Sequence, residues 1–336
     1  MFRTVLAAGL VLSVAPALAN DSTAELGTGG LILSRSDAVA MQSEDLYISP
    51  DKVTVDYVFH NNTDKDVDAI VAFPMPDIEG NPEEMPAIPN DPSDNFLGFE
   101  VTIDGAAVKP QLEQKAFALG IDISAELKAR NVPFYPFGDT AKAALAKLPK
   151  AVADDWVNRG IIIEDPEGDQ SATPSYAPWW QLRSTYWWRS NFPANADVRV
   201  SHRYKPSVGS SSTVSFFSDG KFQDPYAAYK VRYCMDSTFE NAIRKAAKDD
   251  PNGYPYYESR IAYILTTGGN WATGTIGKFK LTVDKGNAKN LVSFCGDNVR
   301  KVGPTTFEMT ANDFYPEHDI NILILNPTDS NGGSAN

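Results

Sequence analysis

The chain has 336 residues, with 30 Lys and Arg against 43 Asp and Glu and a formal net charge of −13 at pH 7. That charge excludes nucleic acid and anionic lipid as general partners, because both are polyanions and no Lys/Arg-rich run offsets it locally. The length exceeds what one hydrophobic core usually organises, so two β-rich units, or one large unit with an insertion, are expected.

At the N-terminus, Met1-Phe2-Arg3-Thr4 precedes an apolar stretch from Val5 to Val14 and the small-residue pattern Ala17-Leu18-Ala19. This reads as a secretory signal peptide over residues 1–19, cut before Asn20-Asp21, with an apolar stretch too short to span a bilayer. No Cys follows the cut to carry a lipid anchor, and no later apolar run approaches the roughly 18 to 20 residues of a membrane span. The expected location is periplasmic or secreted. An oxidising compartment favours pairing Cys234 with Cys295, the alternative being two buried free thiols.

Strand signals dominate the chain. Val53, Val55, Tyr57 and Phe59 recur at alternate positions before the turn cluster Asn61-Asn62-Thr63-Asp64, which predicts a hairpin returning over Val67 to Phe73. Pro74 to Pro92 reads as a long acidic loop, and Asp104-Gly105 predicts a tight hairpin between Phe99 to Ile103 and Ala106 to Val108. These elements form an N-terminal β-sandwich-like unit over residues 20–118. The period then lengthens over residues 119–170. Three helices are predicted there, behind Asp122, behind Asp139 and from Pro149 to Gly160, with Leu127, Leu145, Leu148 and Trp156 on their apolar faces.

A second β-sandwich-like unit is predicted over residues 171–327, followed by a disordered tail at 328–336. Its strands are Leu182 to Trp188, Val198 to Tyr204, Thr213 to Phe217, Tyr229 to Tyr233, Ile261 to Thr266, Ile276 to Val283, Leu291 to Phe294 and Ile320 to Leu325. Ser237-Thr238-Phe239-Glu240 reads as a capping box opening one helix among them. The fold class is therefore mainly β, with two sandwich-like units and a helical insertion.

Motifs that carry chemistry are weak. His60, His202 and His318 lie far apart and form no metal-binding spacing, and His202 shares a strand face with Val198, Val200 and Tyr204, as a hydrogen-bonded core histidine would. Asp64, Asp66 and Asp68 alternate as in a calcium loop but lack its Gly and terminal Glu, so they read as a polar turn. Ser218-Asp219-Gly220-Lys221 and Ser93-Asp94-Asn95 match fragments of the penicillin-recognising motifs in reversed order and without K-T-G. Gly269 and Gly274 have phosphate-loop spacing without the Lys that holds phosphate. No metal and no cofactor is implied.

Trp179, Trp180, Tyr186, Trp187, Trp188 and Arg189 form the candidate binding surface. Neighbouring strand residues point to opposite faces, so one of Trp187 and Trp188 belongs to the core and the other is open to a partner.

Thr185-Tyr186-Trp187-Trp188, Asn191-Phe192-Pro193-Ala194, His202-Arg203-Tyr204-Lys205-Pro206, the segment Tyr263 to Trp271 with its Thr266-Thr267-Gly268-Gly269-Asn270 centre, and Leu291-Val292-Ser293-Phe294-Cys295 together resemble the domain-of-unknown-function family 4424, secreted proteins of Gram-negative bacteria. The resemblance implies a periplasmic or secreted location and supplies no catalytic residues. More loosely, Tyr57 to Asn61 followed by Phe73-Pro74-Met75-Pro76 is similar to the sandwich of vault and inter-alpha-trypsin proteins. The resulting expectation is a noncatalytic binding or assembly factor of the cell envelope whose partner is an unknown envelope protein or glycan. The alternative is an enzyme acting on envelope polysaccharide through carboxylates among Glu164, Asp165, Glu167 and Glu258.

Overall fold

The computed structural model describes residues 20–27, 30–81, 95–165, 175–249 and 255–328. Its N-terminal third contains β1 (Ser22–Gly27), β2 (Gly30–Ser34), β3 (Val39–Ile48), β4 (Val53–Asn61), β5 (Val67–Pro74), β6 (Ile78–Glu79), β7 (Glu100–Ile103), β8 (Ala106–Val108), β9 (Gln111–Ala118) and β10 (Ile121–Asp122). Helices α1 (Ser124–Ala129), α2 (Gly138–Leu145) and α3 (Lys150–Asn158) follow, then β11 (Ile162–Glu164), β12 (Tyr176–Pro178), β13 (Gln181–Phe192) and β14 (Asp197–Tyr204). The remainder holds β15 (Gly209–Ser211), β16 (Phe217–Ser218), β17 (Lys221–Phe222), α4 (Tyr226–Arg232), α5 (Ser237–Asp249), β18 (Tyr256–Tyr263), β19 (Ile276–Asp284), β20 (Leu291–Phe294), β21 (Arg300–Lys301), β22 (Thr306–Phe314) and β23 (Ile320–Pro327). The molecule is mainly β. The predicted signal peptide, the tail beyond Thr328, most of the acidic loop and Glu167 lie outside the described residues.

An eight-stranded sheet in the order β21-β22-β19-β3-β4-β14-β7-β8 forms one layer. Along β4, Val53, Val55, Tyr57 and Phe59 are buried while Asp56 is exposed, as expected for a sheet with one face to the core and one to water. The buried face meets a seven-stranded sheet, β10-β9-β13-β5-β1-β2 with β6 beside β13, and a four-stranded sheet, β15-β18-β23-β20. A continuous core joins the layers: Val55 and Tyr57 from the first, Phe73, Tyr186 and Trp188 from the second, and Tyr263 and Ile322 from the third.

The expected boundary between units at 118 and 171 does not follow the sheets. β13 pairs with β5 and β9, while β19 lies parallel to β3, so each large sheet takes strands from both spans. The supposed hairpin after Asn61 is also a crossing between layers, because β4 pairs with β3 and β14 whereas β5 joins β13 and β1. Asn61 is fully buried at the crossing and donates from Nδ2 to the carbonyls of Lys65 and Phe192, which satisfies the chain where it leaves one sheet for the other. Asp66 and Asp68 brace the same turn by accepting hydrogen bonds from Ala194 N–H and Asn191. The Asp104-Gly105 hairpin forms as expected, with both residues at positive φ.

Three local readings change. Thr213 to Phe217, expected as a strand, is a turn that enters β16 only at Phe217, its Ser215 held by Glu258. Tyr229 to Arg232 is helical with Tyr233 as the C-cap: Tyr226, Tyr229 and Tyr233 recur at helical spacing, Tyr226 packing on Phe222, Tyr229 on Phe216 and Tyr233 on Tyr229. The cap of α5 is Asp236, which accepts the Phe239 N–H at 2.7 Å; Glu240 instead takes hydrogen bonds from Tyr226 and Lys230.

The helical segment packs against one end of the seven-stranded sheet. Leu127, Leu145, Trp156 and Trp180 are buried together with Ala116 and Ile162, and Leu148 is half-buried at the edge. Leu145→Ala is expected to destabilise the protein by about 2 to 5 kcal/mol, because the lost transfer energy adds to an unfilled cavity. Urea denaturation checks this, and an unchanged midpoint would mean that the helices do not share the core's stability.

Candidate functional site

The expected aromatic surface divides between core and exterior. Trp180, Tyr186 and Trp188 are buried and cannot meet a partner; Trp179 is 42% exposed, Trp187 is half-buried and Arg189 is exposed. Strand alternation separates the tryptophan pair: Trp188 points into the central core and Trp187 packs on the opposite face near Ile70 and Ala72. Trp179 precedes β13 and stands eight residues from Trp187, about 26 Å along an extended strand, so the exposed members do not form one platform.

Trp188 is one wall of an aromatic box around His202. The rings of Tyr57, Phe73, Phe99 and Trp188 lie 4.8 to 5.3 Å from the imidazole. The histidine is a core residue but not a hydrogen-bonded one: neither ring nitrogen has a partner, and the nearest carboxylate oxygen, Oδ1 of Asp21, is 3.5 Å from Nε2. Burial pushes its pKa down to about 3, which keeps it neutral.

A cleft of about 280 Å³ lies elsewhere, where β6 and the Phe96-Leu97 turn face α4, β18 and the chain after β14. Asp77 and Glu79 line one wall, and Arg232 and Arg260 line another. Gly80 fixes the β6 wall: its N–H donates to the Trp180 carbonyl at 2.8 Å, and an added Cβ would approach that oxygen to 2.8 Å. Burial raises the Asp77 carboxyl above its ordinary pKa, opposed by the Arg183 guanidinium at 3.0 Å. Burial likewise pushes Tyr233 up to about 12, leaving it a neutral hydroxyl. Arg232 donates from Nε to Asn321, and Arg260 donates to the Tyr229 hydroxyl, but neither guanidinium has a carboxylate within 4 Å among the described residues.

The carboxylates expected of an enzyme are dispersed. Glu164 is exposed on β11 beside the helices, whereas Glu258 is fully buried on β18. Ser215 donates to Glu258 through both N–H and hydroxyl, and Tyr229 through its hydroxyl, so this carboxylate anchors the 213–217 segment and α4. Cys234 and Cys295 form a disulfide between the turn before α5 and the end of β20. No group of three His, Cys, Asp or Glu suited to a metal occurs among the described residues. No helix there is long and apolar enough to cross a membrane.

The cleft lay beyond sequence reasoning because its walls come from six separated segments. The one usable signal was an arginine on each of two neighbouring aromatic-rich stretches, Tyr226 to Tyr233 and Tyr256 to Tyr263.

These features define a mainly β sandwich protein with a disulfide, a helical layer and a charged cleft. The chain belongs to the family described as Domain of unknown function (DUF4424), whose model matches residues 19–323. No curated protein matches it. Among solved structures, it is similar to a proposed nutrient binding protein from Legionella pneumophila subsp. pneumophila str. Philadelphia 1, at 14% identity and a TM-score of 0.41, covering 87% of this chain and 68% of the other. It is also similar to an M1 zinc metallopeptidase from Deinococcus radiodurans, at 9% identity and a TM-score of 0.24, where the overlap takes in 87% of this chain but 43% of the enzyme.

Proposed function

We propose that the protein is a noncatalytic binding protein of the bacterial cell envelope and that its cleft takes a small carboxylate-bearing ligand. The observation that carries this reading is the pair Arg232 and Arg260, two guanidiniums lining a concave site with no carboxylate within 4 Å of either among the described residues, Glu258 reaching Arg260 only through the Tyr229 hydroxyl. A guanidinium fork matches a carboxylate in two parallel hydrogen bonds, and the apolar edges of Phe96, Leu97 and Ile261 suit the remainder of such a molecule. Asp77 and Glu79, the carboxylates lining the cleft, occupy one wall, whereas glycoside hydrolysis needs a carboxyl group on each side of the scissile bond. The signal-peptide pattern and the disulfide support an exported location.

Calorimetric titration with mono- and dicarboxylates, using inorganic phosphate as a competing anion, tests the assignment. Arg232→Ala is expected to weaken carboxylate binding by about tenfold or more with little change in melting, since a charge-assisted pair contributes roughly 1.5 to 3 kcal/mol. Absence of carboxylate binding, or equal binding by the variant, would overturn the reading.

A further inference from the structure

Asn20 and Asp21 are polar and fully buried, and one segment holds them there. The Thr267 hydroxyl sits 2.5 Å from the Asn20 backbone nitrogen and donates to the Asn20 carbonyl at 2.6 Å. Trp271 Nε1 donates to the Asp21 carbonyl, and Asn270 donates to the Ser22 hydroxyl. Gly268 leaves room for the Asn20 side chain, for a Cβ there would lie 2.7 Å from Asn20 Nδ2. Asp319 fixes this seat by accepting from the N–H groups of Leu265 and Thr266 and from the Thr266 hydroxyl. The Thr266 to Trp271 motif, which no feature of the cleft uses, thus holds residues 20–22.

Around the seat lie two buried acids, and no Lys or Arg among the described residues pairs with either. Asn20 Nδ2 donates to Glu44 Oε2 at 3.1 Å, and Tyr263 donates to Glu44 Oε1 at 3.3 Å. Both oxygens of Asp21 are buried without a hydrogen-bond partner. The facing titratable groups are His202, Tyr57 and Tyr263; Tyr57 bonds Asn20 Oδ1 and lies 3.0 Å from the Tyr263 hydroxyl. None of them supplies a positive charge, since burial keeps the imidazole neutral and the phenols have none to give. Loss of water raises the Glu44 pKa to about 8 and raises Asp21 well above its ordinary value, as happens when buried carboxylates lack a counter-ion.

We propose that Asn20 is the first residue of the mature protein and that its α-ammonium, seated at Thr267, is the internal counter-ion of Asp21 and Glu44. This rests on the export reading above and not on the ligand of the cleft. A signal-peptide protease would hydrolyse the Ala19–Asn20 amide with one water: the C–N bond breaks, the Ala19 carbonyl carbon gains hydroxyl, and the Asn20 nitrogen gains hydrogen and then a proton from solvent. One backbone donor becomes three donors bearing a charge. Cleavage therefore completes the core chemically as well as releasing the chain.

The test compares the chain beginning at Asn20 with the same chain carrying one glycine before Asn20, each with and without Asp21→Asn/Glu44→Gln. The extension is expected to lower the melting midpoint by about 5 °C or more at pH 7 in the wild-type background, and by about 1 °C or less in the double variant. Equal melting of the two wild-type forms, or an undiminished difference in the double variant, would overturn the proposal. Should the double variant not fold, NMR titration of the ¹⁵N-labelled Asn20 amine decides instead: pairing places its pKa above the ordinary range of about 7.7 to 8.0, and an ordinary value overturns the proposal. Intact mass of the exported protein gives an independent reading, because a mature chain starting at another residue refutes the cut site while leaving carboxylate binding in the cleft untouched.

Discussion

Trp180→Ala lowers the free energy of unfolding by about 3 to 5 kcal/mol, while Trp179→Ala changes it by about 0.5 kcal/mol or less. Trp180 is fully enclosed among residues that include Ala116, Leu127 and Ile162, and its Nε1 donates to the Phe134 carbonyl at 2.7 Å. Truncation therefore opens a cavity and leaves a buried acceptor unpaired, two penalties that add. Its backbone also receives the Gly80 N–H, so disorder at this position spreads to the β6 wall of the cleft. Paired urea melts of the two variants check the contrast. Equal stabilities would remove the helical layer from the folding unit.

Removing the Cys234–Cys295 bond costs about 4 kcal/mol, judged from the chain entropy of a loop with a sequence separation of 61. Both cysteines are exposed, so a reductant reaches the bond without global unfolding. Dithiothreitol is expected to leave the far-ultraviolet spectrum unchanged at 25 °C while lowering the melting midpoint on the order of 10 °C. Cys234→Ser/Cys295→Ser should reproduce the shift. A reduced protein that melts with the oxidised one would place this link outside the stability of the fold.

Much of the strand content is legible in the sequence because a half-buried strand writes its environment at alternate positions. Leu291 to Phe294 and Val198 to Tyr204 coincide with β20 and β14 to within a residue. The Asp104-Gly105 turn is local chemistry and equally readable. Pairing partners are different, since β4 lies between its sequence neighbour β3 and the distant β14, and nothing in Val53 to Phe59 names the second. β22 escaped because Glu308, Thr310 and Asn312 leave it few apolar residues to mark a buried face. The aromatic cluster misled because tryptophan content measures surface to be buried, not which element will bury it. Asn20 and Asp21 carry no sequence signal of burial at all, as Asn and Asp ordinarily face water.

The parallel pairing of β3 with β19 sets a condition on how the protein is made. Val39 to Ile48 has β4 available almost at once, but its other edge stays open until Ile276 to Asp284 has emerged. The seven-stranded sheet waits in the same way for β13 to fill the gap between β5 and β9. An incomplete chain thus presents unpaired strand edges in both layers, the geometry that recruits other chains. Closure over so long a separation is slow, since its entropy is lost before any contact compensates it. Cutting the gene at the helical segment would give two fragments that each lack strands from both layers, and neither is expected to fold alone.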